Sequence, residues 1–337
     1  MILAIDVGGT KMAAGLVASD GTVITSRRAA TPQNADAETL WHTLTTLIDP
    51  LSARAEGVGV GCGGPMTWPD GEVSPLNIPA WRGFPLRARL AGRFPGLPVR
   101  LHNDAICLAI AEHWQGAGQG SADMLGMVVS TGVGGGLILG GRLVNGGTGN
   151  AGHIGHVVVE PDGGPRCGCG GHGCLEAVAR GPALTTWALT QGWTPAAVSE
   201  PVKASERVEA FEGGEVSEGG EAYREDRAVT GRALAADALA GDPVAVLAMR
   251  RAGRALGIAI ASATHLCDLD LVTIGGGLSQ AGDPLFGPLE EALRDHARMG
   301  FARRLKVVPA ALGQDAGLVG AAALLLAGGA YWTSSRD

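Results

Sequence analysis

Lysine is scarce in this chain of 337 residues, which carries only Lys11, Lys203 and Lys306. The formal net charge is −7, and the sequence contains no basic tail and no basic helical pattern. Proteins that bind nucleic acid usually concentrate positive charge on one surface. We therefore expect no nucleic-acid partner, and Lys11 stands out because it lies within a glycine motif.

Long hydrophobic runs are lacking as well. No stretch reaches about 18 uncharged apolar residues, which is the signature of a transmembrane helix. The first residues, MILAIDVGGTK, lack the basic region and the cleavage site of a signal peptide. We therefore predict a cytoplasmic protein without a membrane partner. Its hydrophobic content of 46% allows a sizeable core, and its length predicts two domains at roughly 100–200 residues each.

Strands and helices alternate along the sequence, which predicts an α/β protein. A strand, a glycine-rich turn and a second strand occur twice, at 2–18 and at 125–140. This repetition indicates either two related halves or two unrelated β-hairpins. The other predicted elements are strands at 22–26, 57–61, 98–102 and 269–274, and helices at 36–54, 104–114, 230–240, 243–266, 285–297 and 315–328.

One acidic, glycine-rich segment, at 199–227, interrupts this alternation. It has no consistent apolar face, so it cannot bury enough apolar surface to pack as part of a core. We predict a surface insertion there, and a regulatory role is the less favoured alternative.

The first glycine turn has the composition of a phosphate-binding loop and contains Asp6, Gly8, Gly9, Thr10 and Lys11. Glycine lets backbone N–H groups approach a phosphate closely, while the threonine adds a hydroxyl group and the lysine a positive charge. Asp6 ends the strand and could hold Mg²⁺ directly or through water. The Walker A pattern GxxxxGK[ST] is absent.

Two later turns have a similar design. Thr131, Gly132 and Gly134 lie in the second of the repeated turns, and Gly276 and Gly277 follow a predicted strand and lead toward a helix. Each of them taken alone could be a purely structural turn. Three glycine turns at strand ends of one α/β chain indicate a nucleotide bound in a cleft.

Asn103 and Asp104 stand where a predicted strand ends and a predicted helix begins. An Asp at this place often does no more than cap the helix. It could instead be a general base, because phosphoryl transfer to an alcohol needs a carboxylate that orients the hydroxyl group and accepts its proton. Asn103 could bind neighbouring hydroxyl groups, so both interpretations of this pair stay open.

The spacing His156-x10-Cys167-x-Cys169-x4-Cys174 is the most specific pattern in the chain. One imidazole and three thiolates complete a tetrahedral zinc site. Four protein ligands leave no open position on the ion, so we expect a structural zinc. His172 is a rival for the histidine ligand.

Taken together, the motifs resemble the ROK family of repressors and sugar kinases. The match runs over nearly the whole chain, except about 195–230, and rests on DVGGTK, LHNDA, STGVGGG, GH-x10-CGCGGHGCLE, IGGGLS and GQDAGLVGAA. The resemblance implies an actin-like ATPase (ribonuclease H-like) fold with two α/β domains around a cleft. The expected domains are 1–120 with a final helix returning at 314–337, and 121–313 with the zinc site.

The resemblance also implies ATP with Mg²⁺ as the phosphoryl donor, a sugar hydroxyl group, usually O6, as the acceptor, and a homodimer or homotetramer. By position in the motifs, Asp104 is the expected catalytic base. Sugar contacts are expected at Gly64, Asn77, Asn103, Asp104, His156 and Glu176. His156, which the resemblance favours over His172, is expected to bind zinc with one ring nitrogen and sugar with the other.

His153 is the main departure from the family, which usually has a sugar-binding Glu at this position. A neutral His offers one donor and one acceptor, so we expect His153 to contact the substrate and to shift the preference away from glucose. Alternatively, it packs against the zinc loop and glucose is still accepted. Ile106 and Gly63 replace a frequent Asn and a frequent Pro, which also leaves the identity of the sugar open.

The predicted function is therefore an ATP-dependent hexose kinase of the glucokinase type. An N-acetylhexosamine, fructose or a cyclitol is an alternative substrate. A sugar-sensing repressor is less expected, because the phosphate motif starts at Asp6 and leaves no room for a preceding DNA-binding domain. A sugar-binding protein without activity is disfavoured by the presence of Asp6, Lys11 and Asp104.

Overall fold

The computed structural model describes residues 1–196 and 229–331, so the predicted insertion at 199–227 lies outside the described residues. In these ranges the strands are β1 (Ile2–Val7), β2 (Lys11–Val17), β3 (Val23–Ala30), β4 (Gly57–Cys62), β5 (Met66–Thr67), β6 (Glu72–Val73), β7 (Val99–Asn103), β8 (Met124–Val129), β9 (Val133–Leu139), β10 (Arg142–Leu143), β11 (Leu271–Gly275) and β12 (Lys306–Pro309). The α-helices there are α1 (Ala37–Ile48), α2 (Leu86–Arg93), α3 (Asp104–Gln115), α4 (Leu175–Ala179), α5 (Gly181–Thr190), α6 (Gly231–Leu239), α7 (Pro243–Cys267), α8 (Asp283–His296), α9 (Ala316–Leu326) and α10 (Gly328–Tyr331). Within the same ranges, no helix is long and apolar enough to span a bilayer.

Two five-stranded sheets form the framework, and they share one topology. The strand order is β3-β2-β1-β4-β7 in the first sheet and β10-β9-β8-β11-β12 in the second. In both, the first three strands pair antiparallel and the last three pair parallel. The repetition in the sequence is thus the repetition of a whole sheet, which two unrelated β-hairpins would not produce.

The strand register brings the candidate loops together. Cys62 of β4 pairs with Val7 of β1 on one side and with Asn103 of β7 on the other. The turns after these three parallel strands therefore leave the sheet at the same edge. In the second sheet, Gly275 pairs with Val128, so the turns after β11 and β8 are neighbours too. Ligands of open α/β sheets bind at this carboxyl edge.

Helices α3 and α9 pack against each other between the two sheets. A β-carbon at Gly320 of α9 would lie only 1.9 Å from the carbonyl oxygen of Cys107 in α3. Gly136 likewise leaves space for Ala109 of α3, and Gly59 of the first sheet leaves space for α9. Because α9 packs on β1 and β4, the last long helix returns to the first sheet. The domain boundaries themselves stay a prediction.

The predicted helix at 36–54 is shorter in the structure. Helix α1 ends at Ile48, and Asp49–Arg54 continues as a 3₁₀ helix. Pro50 explains the change, because proline lacks an N–H group and its ring clashes with the preceding turn of an α-helix. The sequence pattern does not predict β5, β6, β10, β12, α2, α4, α5 or α10, most of which are too short to show a clear apolar period.

Candidate active site

A cleft of about 560 Å³ lies between the carboxyl edges of the two sheets. Most residues predicted to bind the sugar or the nucleotide line it. They are Asp6, Gly8, Gly9, Thr10, Lys11, Gly64, Asn77, Asn103, Asp104, Thr131, Gly132, Gly134, His153, His156 and Glu176. Gly276 and Gly277 are not among the lining residues. Their turn instead lies against the end of β8, where a β-carbon at Gly276 would be 2.3 Å from the carbonyl oxygen of Val129.

Asp104 begins α3, but the residue that caps this helix is Asn103. Asn103 Oδ1 accepts a hydrogen bond from the N–H of Ala105 at 3.0 Å, and Asp104 Oδ1 accepts from the same N–H at 2.8 Å. The second oxygen, Asp104 Oδ2, lies 4.0 Å from the place of a β-carbon at Gly63. Burial raises the pKa of Asp104, which makes its ionised form a stronger proton acceptor. Asp104 is thus available for chemistry in the cleft.

His153 lies in the wall of the cleft beside Gly64. A β-carbon at Gly64 would be 3.3 Å from His153 Nε2 and 2.8 Å from Asn103 Nδ2. The absence of a side chain at Gly64 therefore lets the imidazole nitrogen and the amide group approach its main chain closely, and all three residues line the cleft.

The tautomer of His153 follows from its hydrogen bond. His153 Nδ1 lies 2.8 Å from the carbonyl oxygen of Asn150, which can only accept, so Nδ1 carries the proton. Burial lowers the pKa of His153, which favours the neutral ring. Nε2 then holds a lone pair and is an acceptor. This corrects the expectation that the ring offers the substrate both a donor and an acceptor, because the protein already uses the donor.

Four potential metal ligands converge beside the cleft. The ligand atoms of His156, Cys167, Cys169 and Cys174 all lie within 4.8 Å of one another. His156 Nδ1 is 3.6 Å from Cys167 Sγ, and Cys169 Sγ is 3.7 Å from Cys174 Sγ. Tetrahedral zinc with Zn–S bonds of about 2.3 Å keeps its sulfur ligands about 3.8 Å apart. The donor set therefore fits zinc, and His172 is not part of it.

The loop that carries these ligands also positions Glu176. Cys174 directly precedes α4, and Glu176 lies in the first turn of that helix. The N–H of Leu175 donates to the carbonyl oxygen of Val157 at 2.9 Å, which ties α4 to the segment after the histidine ligand. Glu176 Oε2 accepts from the N–H of Val133 at 2.9 Å. One loop thus supports two neighbouring parts of the cleft wall.

The two repeated glycine turns face each other across the cleft. Thr10 Oγ1 and Thr131 Oγ1 are 3.4 Å apart, although they lie 121 residues apart in the sequence. The hydroxyl group of Thr31 donates to the carbonyl oxygen of Gly8 at 2.7 Å and holds the first turn in place. Hydroxyl groups and backbone N–H groups from both halves could therefore bind one phosphate chain from two sides.

Residues near α9 complete the part of the cleft that contains the first glycine turn. Lys11 Nζ donates to Gln314 Oε1 at 2.8 Å, so a residue just before α9 orients this cation. A β-carbon at Gly317 would lie 2.4 Å from Asp6 Oδ2, which places the first turn of α9 directly against the carboxyl group. The N-terminus of a helix attracts negative charge, and here it lies beside a possible Mg²⁺ ligand.

Two arginines of the cleft wall were not predicted from the sequence. Arg180 and Arg232 both line the cleft, and guanidinium groups are well suited to phosphates. Arg180 stands four residues after Glu176, so its closeness to a recognised motif was an available signal. Arg232 follows the part of the chain without a counterpart in the family, and no motif marks it.

The buried carboxyl group of Asp6 should make the folding stability of the protein depend on pH. Burial, and secondarily the charge of Asp104, raise the pKa of Asp6 to about 7 from 3.8, although Lys11 lowers it. Because the folded pKa lies above the unfolded one, the folded state holds this proton more tightly. The contribution of Asp6 to stability is therefore lost as the pH rises from about 4 to about 7.

We predict that Asp6→Asn stabilises the protein above pH 7 when no nucleotide or Mg²⁺ is bound. The neutral amide removes an ionisation penalty of at most about 4 kcal/mol. Urea unfolding between pH 4 and 8 should show a free-energy difference from wild type that grows up to about pH 7 and is then constant. The control is Asp295→Asn, on the exposed surface of α8. Equal stability of Asp6→Asn and wild type at every pH would contradict the prediction.

Comparison with known proteins agrees with this arrangement. The model of the ROK family matches residues 2–327. The glucokinase of Thermotoga maritima is 34% identical over 328 residues, which are 96% of this chain and 96% of that protein. The crystal structure of a ROK family glucokinase from Streptomyces griseus in complex with glucose and AMPPNP is 33% identical, covers 96% of this chain and 98% of that one, and has a TM-score of 0.77.

The N-acetylmannosamine kinase of Escherichia coli O157:H7 is 41% identical over a shorter stretch of 189 residues, 55% of this chain and 63% of that protein. The paired sheets and the cleft between them define an α/β protein with the actin-like ATPase fold. The chain belongs to the ROK family. The relatives that it matches over nearly their whole length include glucokinases, so the class predicted from the motifs, a sugar kinase, is confirmed.

Proposed function

We propose that this sugar kinase transfers the γ-phosphoryl group of ATP to a hydroxyl group of a hexose, with O6 as the acceptor. One observation carries the proposal: Asp104 Oδ2 faces a cleft that also contains two facing phosphate-type turns. A carboxylate and a phosphate site in one cleft are what phosphoryl transfer to an alcohol requires.

Asp104 is the proposed general base. The hydroxyl oxygen of the sugar forms a bond to the γ-phosphorus, and the bond from that phosphorus to the bridging oxygen of ADP breaks. The hydroxyl proton passes to Asp104 Oδ2, while Asp104 Oδ1 stays on the N–H of Ala105. The raised pKa of Asp104 favours acceptance of this proton.

Both glycine turns, with Lys11, would hold the phosphates of ATP. Glycine is needed in the first turn because a β-carbon at Gly9 would lie 2.4 Å from Asn77 Nδ2. Asp6 would hold Mg²⁺, which neutralises phosphate charge when bound. Arg180 and Arg232 would add positive charge to the same cleft. The predicted nucleotide contacts of Gly276 and Gly277 remain part of this proposal.

Zinc has a structural role in this proposal. With Nδ1 of His156 on the metal, the proton of its ring is on Nε2, which can donate a hydrogen bond into the cleft. Its neighbour His153, whose ring centroid is 6.2 Å away, presents an acceptor. The proposed sugar site therefore combines a donor and an acceptor from two roughly parallel imidazole rings with the carboxylates of Asp104 and Glu176.

Two observations make an N-acetylhexosamine, such as N-acetylmannosamine, the second candidate substrate. His153 stands where the family usually has a Glu, and part of the chain is 41% identical to an N-acetylmannosamine kinase. A single neutral acceptor recognises substrate groups differently from a carboxylate with two acceptor oxygens. Glucose remains the first candidate, because the glucokinases match over nearly the whole chain.

A panel of sugars tests the proposal, with ATP consumption as the readout. We predict turnover with a hexose, and we predict that His153→Glu raises kcat/KM for glucose relative to the other sugars of the panel by about 5- to 150-fold, the range for a polar mismatch in a closed site. The control is His42→Glu, on the exposed face of α1, which should leave the ranking of sugars unchanged.

Two results would count against these statements, and they are distinct. If no sugar stimulates ATP consumption, the proposed kinase reaction is wrong. If wild type phosphorylates glucose as efficiently as any other sugar and His153→Glu leaves the ranking unchanged, the kinase reaction stands but His153 does not select the substrate.

The use of ATP and the need for reduced thiolates at the zinc site support a cytoplasmic location. The homodimer or homotetramer implied by the family, and the absence of a nucleic-acid partner, remain proposals. Sedimentation of the purified protein would decide the first of these, and a binding assay with duplex DNA the second.

A further inference from the structure

Asn150 connects the two halves of the protein at the sugar end of the cleft. Its side chain makes a pair of hydrogen bonds to the main chain of Met66: Asn150 Oδ1 accepts from the N–H at 3.1 Å, and Nδ2 donates to the carbonyl oxygen at 2.8 Å. Met66 begins β5, two residues after Gly64. Asn150 follows strand β10 of the second sheet and lies three residues before His153. Its side chain thus joins the loops that carry these two cleft residues.

The main chain of the same residue determines the proton position on His153. Asn150 contributes the carbonyl oxygen that accepts from His153 Nδ1 at 2.8 Å. Its side chain is further restrained within its own loop, because Nδ2 also donates to the carbonyl oxygen of Thr148 at 3.0 Å. An anchored side chain limits the movement of its own carbonyl group. Contact with Met66 and the orientation of His153 are therefore linked through one residue.

A second link between the halves lies nearby, between His102 and Asn145. His102 Nδ1 accepts from the N–H of Asn103 at 2.8 Å, so its Nε2 carries the proton and donates to Asn145 Oδ1 at 2.9 Å. The ring of His102 also stacks on Trp68 with centroids 4.7 Å apart. This link joins the same two halves, which makes Asn145 a natural control for Asn150.

We propose that Asn150 is a positioning residue that couples contact between the two halves to the tautomer and placement of His153. The subsite beside His153 Nε2 and Gly64 thereby selects a substrate group that donates a hydrogen bond. This inference rests on the proposed sugar kinase function. It narrows the substrate to sugars that place a hydroxyl group or an amide N–H at this subsite, and it excludes groups there that only accept.

The test measures kcat/KM for the preferred sugar and for its monofluoro analogues, in which fluorine replaces one hydroxyl group at a time outside the phosphorylated position. Fluorine cannot donate a hydrogen bond. In wild type, kcat/KM for the analogue with fluorine at the His153 subsite should be about 5- to 150-fold lower than kcat/KM for the preferred sugar. In His153→Ala this loss in kcat/KM should fall below about threefold, while the losses caused by fluorine at other positions of the sugar stay the same. Such a mutant cycle between protein and ligand isolates the contact between His153 and one hydroxyl group.

Asn150→Ala should also reduce the loss in kcat/KM caused by fluorine at the His153 subsite. The variant keeps the carbonyl oxygen that accepts from His153, but it lacks the side chain that holds this main chain against Met66. Asn145→Ala should lower kcat/KM for the sugar and for all its analogues about equally, so that the ratios between them stay as in wild type. Asn150→Asp is the second variant if Asn150→Ala does not fold, because its Oδ1 still accepts from Met66 while the donor is lost. It should shift the ratio in the same direction as Asn150→Ala.

A readout independent of activity is the ¹⁵N spectrum of histidine. His153 in wild type and in Asn145→Ala should show a protonated Nδ1 and an unprotonated Nε2. In Asn150→Ala, exchange between the two tautomers should appear. An unchanged fluorine ratio and an unchanged His153 spectrum in Asn150→Ala would overturn the inference. A lack of turnover with every sugar would instead overturn the kinase proposal, and the spectrum would still test the role of Asn150.

Discussion

Asp104→Asn is expected to lower kcat by about 10²–10⁴-fold or more, while the protein still binds sugar. That range is typical of the loss of a general base. The amide can keep the hydrogen bond from the N–H of Ala105, and the cap of α3 is provided by Asn103. The variant should therefore fold like wild type. What it lacks is an atom in the place of Oδ2 that can accept the proton of the substrate.

The measurement combines kcat from an ATP-consumption assay with sugar binding by calorimetry. A matched control is Asp283→Asn, because Asp283 also begins a helix, α8, but is exposed and absent from the cleft lining. It should retain activity within about twofold of wild type, as surface substitutions commonly do. If Asp104→Asn reacts within about threefold of the wild-type rate, Asp104 is not the base.

Metal loss should damage the sugar site before the ATP site. We expect one zinc ion per chain, held by His156, Cys167, Cys169 and Cys174. Their ligand atoms already have the spacing of a tetrahedral zinc site. His156 is itself a cleft residue, and Cys174 directly precedes the helix that carries Glu176. Because binding of a structural metal is linked to local folding, its removal should release both of these contacts.

Cys169→Ser is the variant of choice, because Cys169 is the exposed member of the ligand set. Metal analysis should show a clear fall in zinc content, and KM for the sugar should rise by at least about tenfold, the low end of effects seen when support of a metal site is lost. KM for ATP should change less. The control Cys267→Ser alters a cysteine outside the group and should keep its zinc. An unchanged zinc content in Cys169→Ser would refute the assignment.

For the residues of the cleft, motifs indicated which side chains are candidates, and the tertiary structure showed which atoms they contact. The motif around Asp104 left two interpretations open, a cap or a base, since both place an Asp at the start of a helix. The structure assigns the cap to Asn103. His153 was recognisable as a departure from the family, but its hydrogen-bond partner Asn150 was not. The N–H group of the ring donates to a main-chain carbonyl oxygen. Every residue has such an oxygen, so the residue types do not show which one the ring contacts.

The sequence by itself determined the α/β class and the ROK family, and it predicted the phosphate turns and the candidate zinc ligands. Each of these depends on residue types at short, fixed spacings, which the chemistry of phosphate and zinc restricts strongly. Only the tertiary structure decided that Thr10 meets Thr131, that Gln314 orients Lys11, and that Arg232 enters the cleft. These contacts join residues far apart in the chain, so they depend on strand register and helix packing, which local preferences do not specify.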